Sequence, residues 1–173
     1  MRINELVGGG PIITDGAWGT QLQSYGLGGG GCPDQWNLSH PDTVEQVPRD
    51  YLNAGSQIVL TNTFRANRLA LASYDLADQT VAINQIGVEI SRRAVNGQAY
   101  VVSTMGPSGK MLLMGEVTKE ELRDAFEEQA NALAAAGTDA IVVETMADIE
   151  EAEVALRAAK NTGLPVVACV VFD

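Results

Sequence analysis

Cysteine is scarce in this chain of 173 residues: Cys32 and Cys169 are the only two. Two thiols exclude a disulfide-built scaffold, and a reduced, cytoplasmic setting is the simpler expectation. They also fall short of the three or four protein ligands of a zinc site. Histidine occurs once, in Ser39-His40-Pro41, where a loop or capping role is more natural than that of a general base. Positive charge is short as well. Eleven Lys and Arg face 22 Asp and Glu, for a formal net charge of −11. That balance disfavours nucleic acid and anionic membranes as partners. The longest apolar run, PVVACVVF, is far too short to cross a bilayer, and the first residues have no signal-peptide stretch. A small molecule or another protein is left as the partner.

Apolar residues make up 46% of the chain and charged residues 19%, enough for a buried core in one domain. Five short apolar runs have strand character: Pro11–Thr14, Gln57–Thr61, Tyr100–Ser103, Ala140–Val143 and Pro165–Phe172. They show little polar alternation, as in a parallel sheet covered on both faces. Helical spacing of apolar residues lies between them, over Asp42–Ala54, Val81–Val95, Thr118–Ala136 and Asp148–Lys160. Thr118 and Glu121 form a capping-box pattern, and Asp148 is a natural N-cap. The alternation reads as α/β. Five strands complete a doubly wound sheet and leave a (β/α)8 barrel three short, so length favours the former. Pro48, inside a predicted helix, implies a kink or a late helix start.

Polar residues follow each strand: Asp15-Gly16-Ala17-Trp18, Asn62-Thr63-Phe64, Thr104-Met105-Gly106, Glu144-Thr145 and Asp173. In parallel α/β folds these carboxyl ends converge on one face, where ligands bind. Asp15 and Glu144 should be partly desolvated there. They either hold a substrate ammonium or close a salt bridge with a residue such as Lys110 or Arg68. Gly16 and Ala17 offer backbone N–H groups to a carboxylate, or simply make a turn. The tracts Gly8–Gly10 and Gly28–Gly31 match neither phosphate-binding fingerprint; the second reads as a loop over the strand ends. Trp36 is expected in ordinary packing, Cys169 in the core, and Cys32 as the more exposed thiol.

Six segments in order are similar to the homocysteine S-methyltransferase family: DGAWGTQLQ (15–23), CPDQWNLSHPD (32–42), AGSQIVLTNTFRANR (54–68), MGPSGK (105–110), DAIVVETMADIEEAE (139–153) and TGLPVVACVVFD (162–173). The resemblance reverses the length argument. It implies a (β/α)8 TIM barrel, of which residues 1–173 form a single N-terminal segment with about five of eight βα units. It also implies zinc held by cysteines that lie beyond residue 173, so no metal ligand or catalytic residue is assigned in this chain. Homocysteine and a methyl donor are the implied partners. Asp15 and Glu144 are the implied ammonium ligands, Gly16 and Ala17 the carboxylate turn, and Asn62 a rim residue. The segment alone is expected to be inactive or nearly so. A C-terminal half-barrel chain or self-association would cover its open edges. The alternative is a non-catalytic amino-acid-binding or partner-binding subunit that completes a split barrel. A different barrel methyltransferase, or a doubly wound enzyme, is the weaker third.

Overall fold

Four of the Val- and Ile-rich runs form strands: β1 (Ile58–Leu60), β2 (Tyr100–Met105), β3 (Ala140–Met146) and β4 (Val166–Val170). The computed structural model, which describes residues 9–171, pairs them all in parallel in the order β1-β2-β3-β4. Each strand is added beside its predecessor, with no reversal of direction across the sheet. A doubly wound sheet needs such a reversal at its switch point; a barrel does not.

The expected first strand is reduced to a single bridge between Thr14 and Ile58. Asp15 N–H donates to the Ile58 carbonyl at 3.0 Å and Gln57 N–H to that of Ile13 at 2.8 Å, so the segment still runs beside β1. Its ladder cannot extend backwards, because Pro11 has no N–H and Gly10 turns away at φ 131°. Phe172 and Asp173, at the predicted end of the last strand, lie outside the described residues.

Among the described residues seven α-helices accompany the sheet: α1 (Trp18–Ser24), α2 (Trp36–Ser39), α3 (Pro41–Asn53), α4 (Arg68–Leu71), α5 (Thr80–Val95), α6 (Lys119–Ala135) and α7 (Ile149–Asn161). Thr118 and Glu121 close both halves of the capping box at the start of α6. The Asp148 carboxylate accepts from Glu150 and Glu151 N–H at the start of α7. The late start suggested by Pro48 is not found. Pro41 already opens α3 at its first turn, where a missing N–H is harmless, and Pro48 sits buried within the helix. Among the described residues no helix is long and apolar enough to cross a membrane.

One face of the sheet is closed by helices. Leu122, Phe126 and Leu133 of α6 and Ala152, Ala155 and Ala159 of α7 pack with Met105, Ile141, Val143 and Met146 of β2 and β3. Each large apolar side chain buried there contributes about 1.5–3 kcal/mol. The opposite face carries Ile58, Val102, Ala140 and Val142. It borders a concavity of about 510 Å³ that also reaches Val167 and Cys169.

The two thiols are the reverse of expectation. Cys169 is exposed and Cys32 buried. Cys169 sits on β4, an edge strand of the described sheet, and most of that strand is open. Cys32 packs beneath Ala66, Leu71, Leu76 and Ile83, and burial raises its thiol pKa.

Candidate functional site

Asp15 stands where the chain leaves β1's outer neighbour. Its Oδ2 accepts from the Trp18 indole N–H at 2.8 Å and from Leu60 N–H at 2.7 Å. Its Oδ1 is buried without a partner. A ligand N–H there would remove a penalty of about 1–3 kcal/mol. Burial raises the Asp15 pKa, the two donated bonds oppose that rise, and the negative charge of Glu144 adds to it. The two carboxylates therefore share one electrostatic neighbourhood, as the strand-end reading requires.

Glu144 is aimed by an irregularity in β3. The pairing of β3 with β4 shifts between Val143 and Met146, and Thr145 takes a left-handed φ of 61°. A β-branched residue is rarely found in that region, and bulges of this kind redirect side chains beside sites. The Thr104 hydroxyl, on the neighbouring strand, donates to Glu144 Oε1. Among the described residues no salt bridge closes on either acid. Arg68 is taken by Glu128 at 2.7 Å and Asp78 at 3.4 Å, and Lys110 is in no ion pair. Among the described residues neither carboxylate has a cation beside it.

Gly16, Ala17, Asn62 and Glu144 line one cavity of about 460 Å³, with Trp18, Asp34, Phe64, Arg65 and Thr104. Asp15 lies behind its turn and is not itself part of the lining. Among the described residues the backbone N–H groups of Gly16 and Ala17 donate to no protein acceptor, and Ala17 brings no side-chain cap to α1. Tyr51 pins this turn from α3. Its hydroxyl donates to the Ala17 carbonyl at 3.0 Å and would stand 3.0 Å from a Cβ at Gly16.

Asn62 is at the rim, but its amide is spent on architecture. Nδ2 donates to the Pro33 carbonyl at 2.7 Å and to Asn37 Oδ1 at 2.9 Å. Asn37 in turn donates to the Asn62 and Ile83 carbonyls. Gln129 of α6 reaches the Thr63 carbonyl at 2.8 Å, and the Thr63 hydroxyl continues to the Thr104 carbonyl at 2.9 Å. Buried amides thus hold the β1 loop from the helix side. Phe64 stays in place because Gly106 has no side chain: a Cβ there would lie 2.4 Å from the Phe64 ring.

Thr104 is among the strand-end residues read from sequence, with no role assigned to it; Asp34 and Arg65 are not among them. Asp34 sits in the CPDQ segment. It is only 2% exposed, and burial pushes its carboxyl up to about 6 against the Arg65 N–H that it accepts. His40 stacks on Trp36 with ring centroids 4.4 Å apart and caps neighbouring helices, away from this cavity. Among the described residues no group of three or more His, Cys, Asp or Glu could hold a metal ion. Buried Cys32 and exposed Cys169 do not converge. The residues present do not fit the zinc centre that the sequence resemblance implies.

Residues 12–173 match the model of the family described as Homocysteine S-methyltransferase. The methionine synthase of Mycobacterium tuberculosis is 36% identical over 180 residues, covering 94% of this chain and 15% of that protein. The methionine synthase of Mycobacterium leprae is 35% identical over 162 residues, covering 87% of this chain and 13% of that protein. The chain spans only these small parts of the curated relatives it matches. The metallated form of the homocysteine methyltransferase MmuM from Escherichia coli superposes with a TM-score of 0.82 at 23% identity. That match covers 98% of this chain and 66% of that one. Its apo form gives a TM-score of 0.75 at 22% identity, over 96% and 62%. These structures show the fold: an α/β chain with the sheet of part of a TIM-barrel-like methyltransferase. The chain belongs to the homocysteine S-methyltransferase family.

Proposed function

We propose that this member of the homocysteine S-methyltransferase family is the amino-acid-binding portion of an enzyme that methylates the homocysteine thiol to give methionine. One observation carries the reading: among the described residues Asp15 and Glu144 have no cationic partner, and the Glu144 charge acts on Asp15, beside the free N–H groups of Gly16 and Ala17. An α-amino acid supplies both complements. Its ammonium offers three donors to the two carboxylates, and its carboxylate accepts from the turn. This places the side-chain sulfur toward the cavity. Methyl transfer forms a bond from that sulfur to the donor's methyl carbon. The methyl–donor bond breaks, and its electron pair leaves with the donor.

The nucleophile is the thiolate, and a free thiol of pKa about 8.5 is mostly protonated at neutral pH. The zinc that the resemblance implies would supply that ionisation. Its ligands belong to βα units other than the described ones, so no step is routed through it here. The uncovered face and the open edge of β4 form the surface that such units, in the same or a second chain, would complete.

Titration calorimetry with homocysteine tests the reading. The wild-type chain should bind, and Glu144→Gln and Asp15→Asn should each lose at least tenfold in affinity. Equal affinity in all three chains would overturn the assignment. With added zinc and S-methylmethionine, betaine or methylcobalamin, this chain alone should form little methionine. Robust turnover would show that no further units are needed.

A further inference from the structure

β1 ends at Leu60, opposite Val102, while β2 runs on to Met105. The Thr104 peptide groups on that side lie past the end of the ladder. Buried backbone groups need partners, and two hydroxyls from the loop after β1 supply them. The Thr104 N–H donates to Thr61 Oγ1 at 3.4 Å. The Thr63 hydroxyl donates to the Thr104 carbonyl at 2.9 Å. Thr61 Oγ1 and Thr63 Oγ1 stand 2.6 Å apart. A hydroxyl has one proton to give. That of Thr63 goes to the carbonyl, so the bond between the two hydroxyls is donated by Thr61. The result is a closed ring in which every bond runs one way: Thr104 N–H to Thr61, Thr61 to Thr63, Thr63 back to the Thr104 carbonyl. Bonds in such a chain polarise one another, and all three threonines are buried. Thr63 is also held from behind. Its N–H donates to the Thr61 carbonyl at 2.9 Å, and Gln129 donates to its carbonyl. Its methyl fits because α5 has a glycine there: a Cβ at Gly87 would lie 2.7 Å from Thr63 Cγ2.

We propose that Thr61 and Thr63 are positioning residues for the ammonium site: their hydroxyls lock the Thr104 peptide, and the Thr104 hydroxyl, which the ring does not use, aims Glu144. The inference rests on the function proposed above and deepens it. The Thr104 hydroxyl donates to Glu144 Oε1. Its direction follows the Thr104 backbone, because a β-branched side chain is stiff at χ1. Thr61 lines the cavity, but its proton is committed to Thr63, so it has none to offer a ligand. Its influence runs through Thr104. A valine at 61 or 63 has the shape of threonine without the hydroxyl. It opens the ring and leaves the Thr104 peptide short of a partner, whereas a serine keeps the ring closed.

The test uses the full chain and two readouts, one of them free of ligand. Amide hydrogen exchange followed by NMR reads the ring itself. In wild type the Thr104 amide should be protected like the amides of β3. Thr61→Val and Thr63→Val should each speed its exchange at least tenfold relative to those amides, and Thr61→Ser and Thr63→Ser should not. A Thr104 amide unprotected in wild type, or indifferent to both valines, overturns the proposal, and the wild-type measurement decides even if a valine variant does not fold. Calorimetry with homocysteine reads the consequence. Each valine variant should lose affinity severalfold and each serine variant should stay within twofold of wild type. In a Thr104→Val background, Thr63→Val should cost less than a further twofold, because the hydroxyl it acts through is already gone. A merely structural role would not produce that coupling. Valine variants that bind like wild type, or losses that multiply in the double variant, overturn the positioning role. Homocysteine that fails to bind wild type, while Thr104 exchange still responds to the valines, would count against the proposed function and for the ring.

Discussion

The Thr104 hydroxyl donates to Oε1 of Glu144 from the neighbouring strand. Two adjacent parallel strands thereby place a donor and an acceptor at one end of the sheet. The bond leaves the rest of the Glu144 carboxylate for a ligand. Thr104→Val keeps the shape and removes the donor that orients Glu144, so homocysteine affinity should fall severalfold. Thr104→Ser should restore it. Calorimetry on both variants checks this, and an unaltered affinity in Thr104→Val would remove Thr104 from the site.

Asp34 should make the protein less stable as pH rises. Its folded pKa of about 6 lies above the ordinary unfolded value, so the native state binds more protons between the two. Stability from this group is complete below about pH 4 and is lost as pH climbs through 6, by about 3 kcal/mol in total. Asp34→Asn still accepts the Arg65 N–H and carries no charge. Urea unfolding should show the variant more stable at pH 7.5 by up to that amount, with the gain gone near pH 4.

Gly106→Ala should disturb the cavity from behind. The new methyl meets the Phe64 ring, and Gly106 N–H also holds the Phe64 carbonyl at 2.7 Å. Backbone and ring cannot both keep their places. Overpacking of this kind costs roughly 1–3 kcal/mol, to be read as a lower denaturant midpoint together with weaker homocysteine binding. A silent variant would mean that the ring moves freely.

Thr145→Gly should raise stability and weaken binding together. Left-handed backbone costs a non-glycine residue about 1–2 kcal/mol, partly offset by the larger unfolded-state entropy of glycine. The net gain should be about 1 kcal/mol or less. Homocysteine affinity should fall severalfold, because Glu144 then stands on looser backbone. Calorimetry and thermal melts on one preparation separate the two effects.

Periodicity made the longer elements legible. The Thr118–Glu121 box and the Asp148 cap mark the starts of α6 and α7, because capping is local chemistry between near neighbours. Asp15 and Glu144 could be picked out because a carboxylate directly after an apolar run has few solvated options. Asn62 was seen as a rim residue, but its commitment to Pro33 and Asn37 was not, since those partners are distant in sequence. The thiols were misread for a related reason. Burial of Cys169 depends on whether β4 has a second neighbour, and burial of Cys32 on helices arriving from elsewhere. The left-handed Thr145 left no trace in composition.

The sheet is not equally firm across its width. Glu144 belongs to β3, which has a strand on either side, whereas Asp15 lies beside β1 in a segment that, among the described residues, makes one isolated bridge and a few bonds to that strand. Amide hydrogen exchange should release the backbone around Asp15 well before that around Val142 and Val143. Warming would then open the grip on an ammonium one jaw at a time, with the inner jaw still set when the outer one lets go.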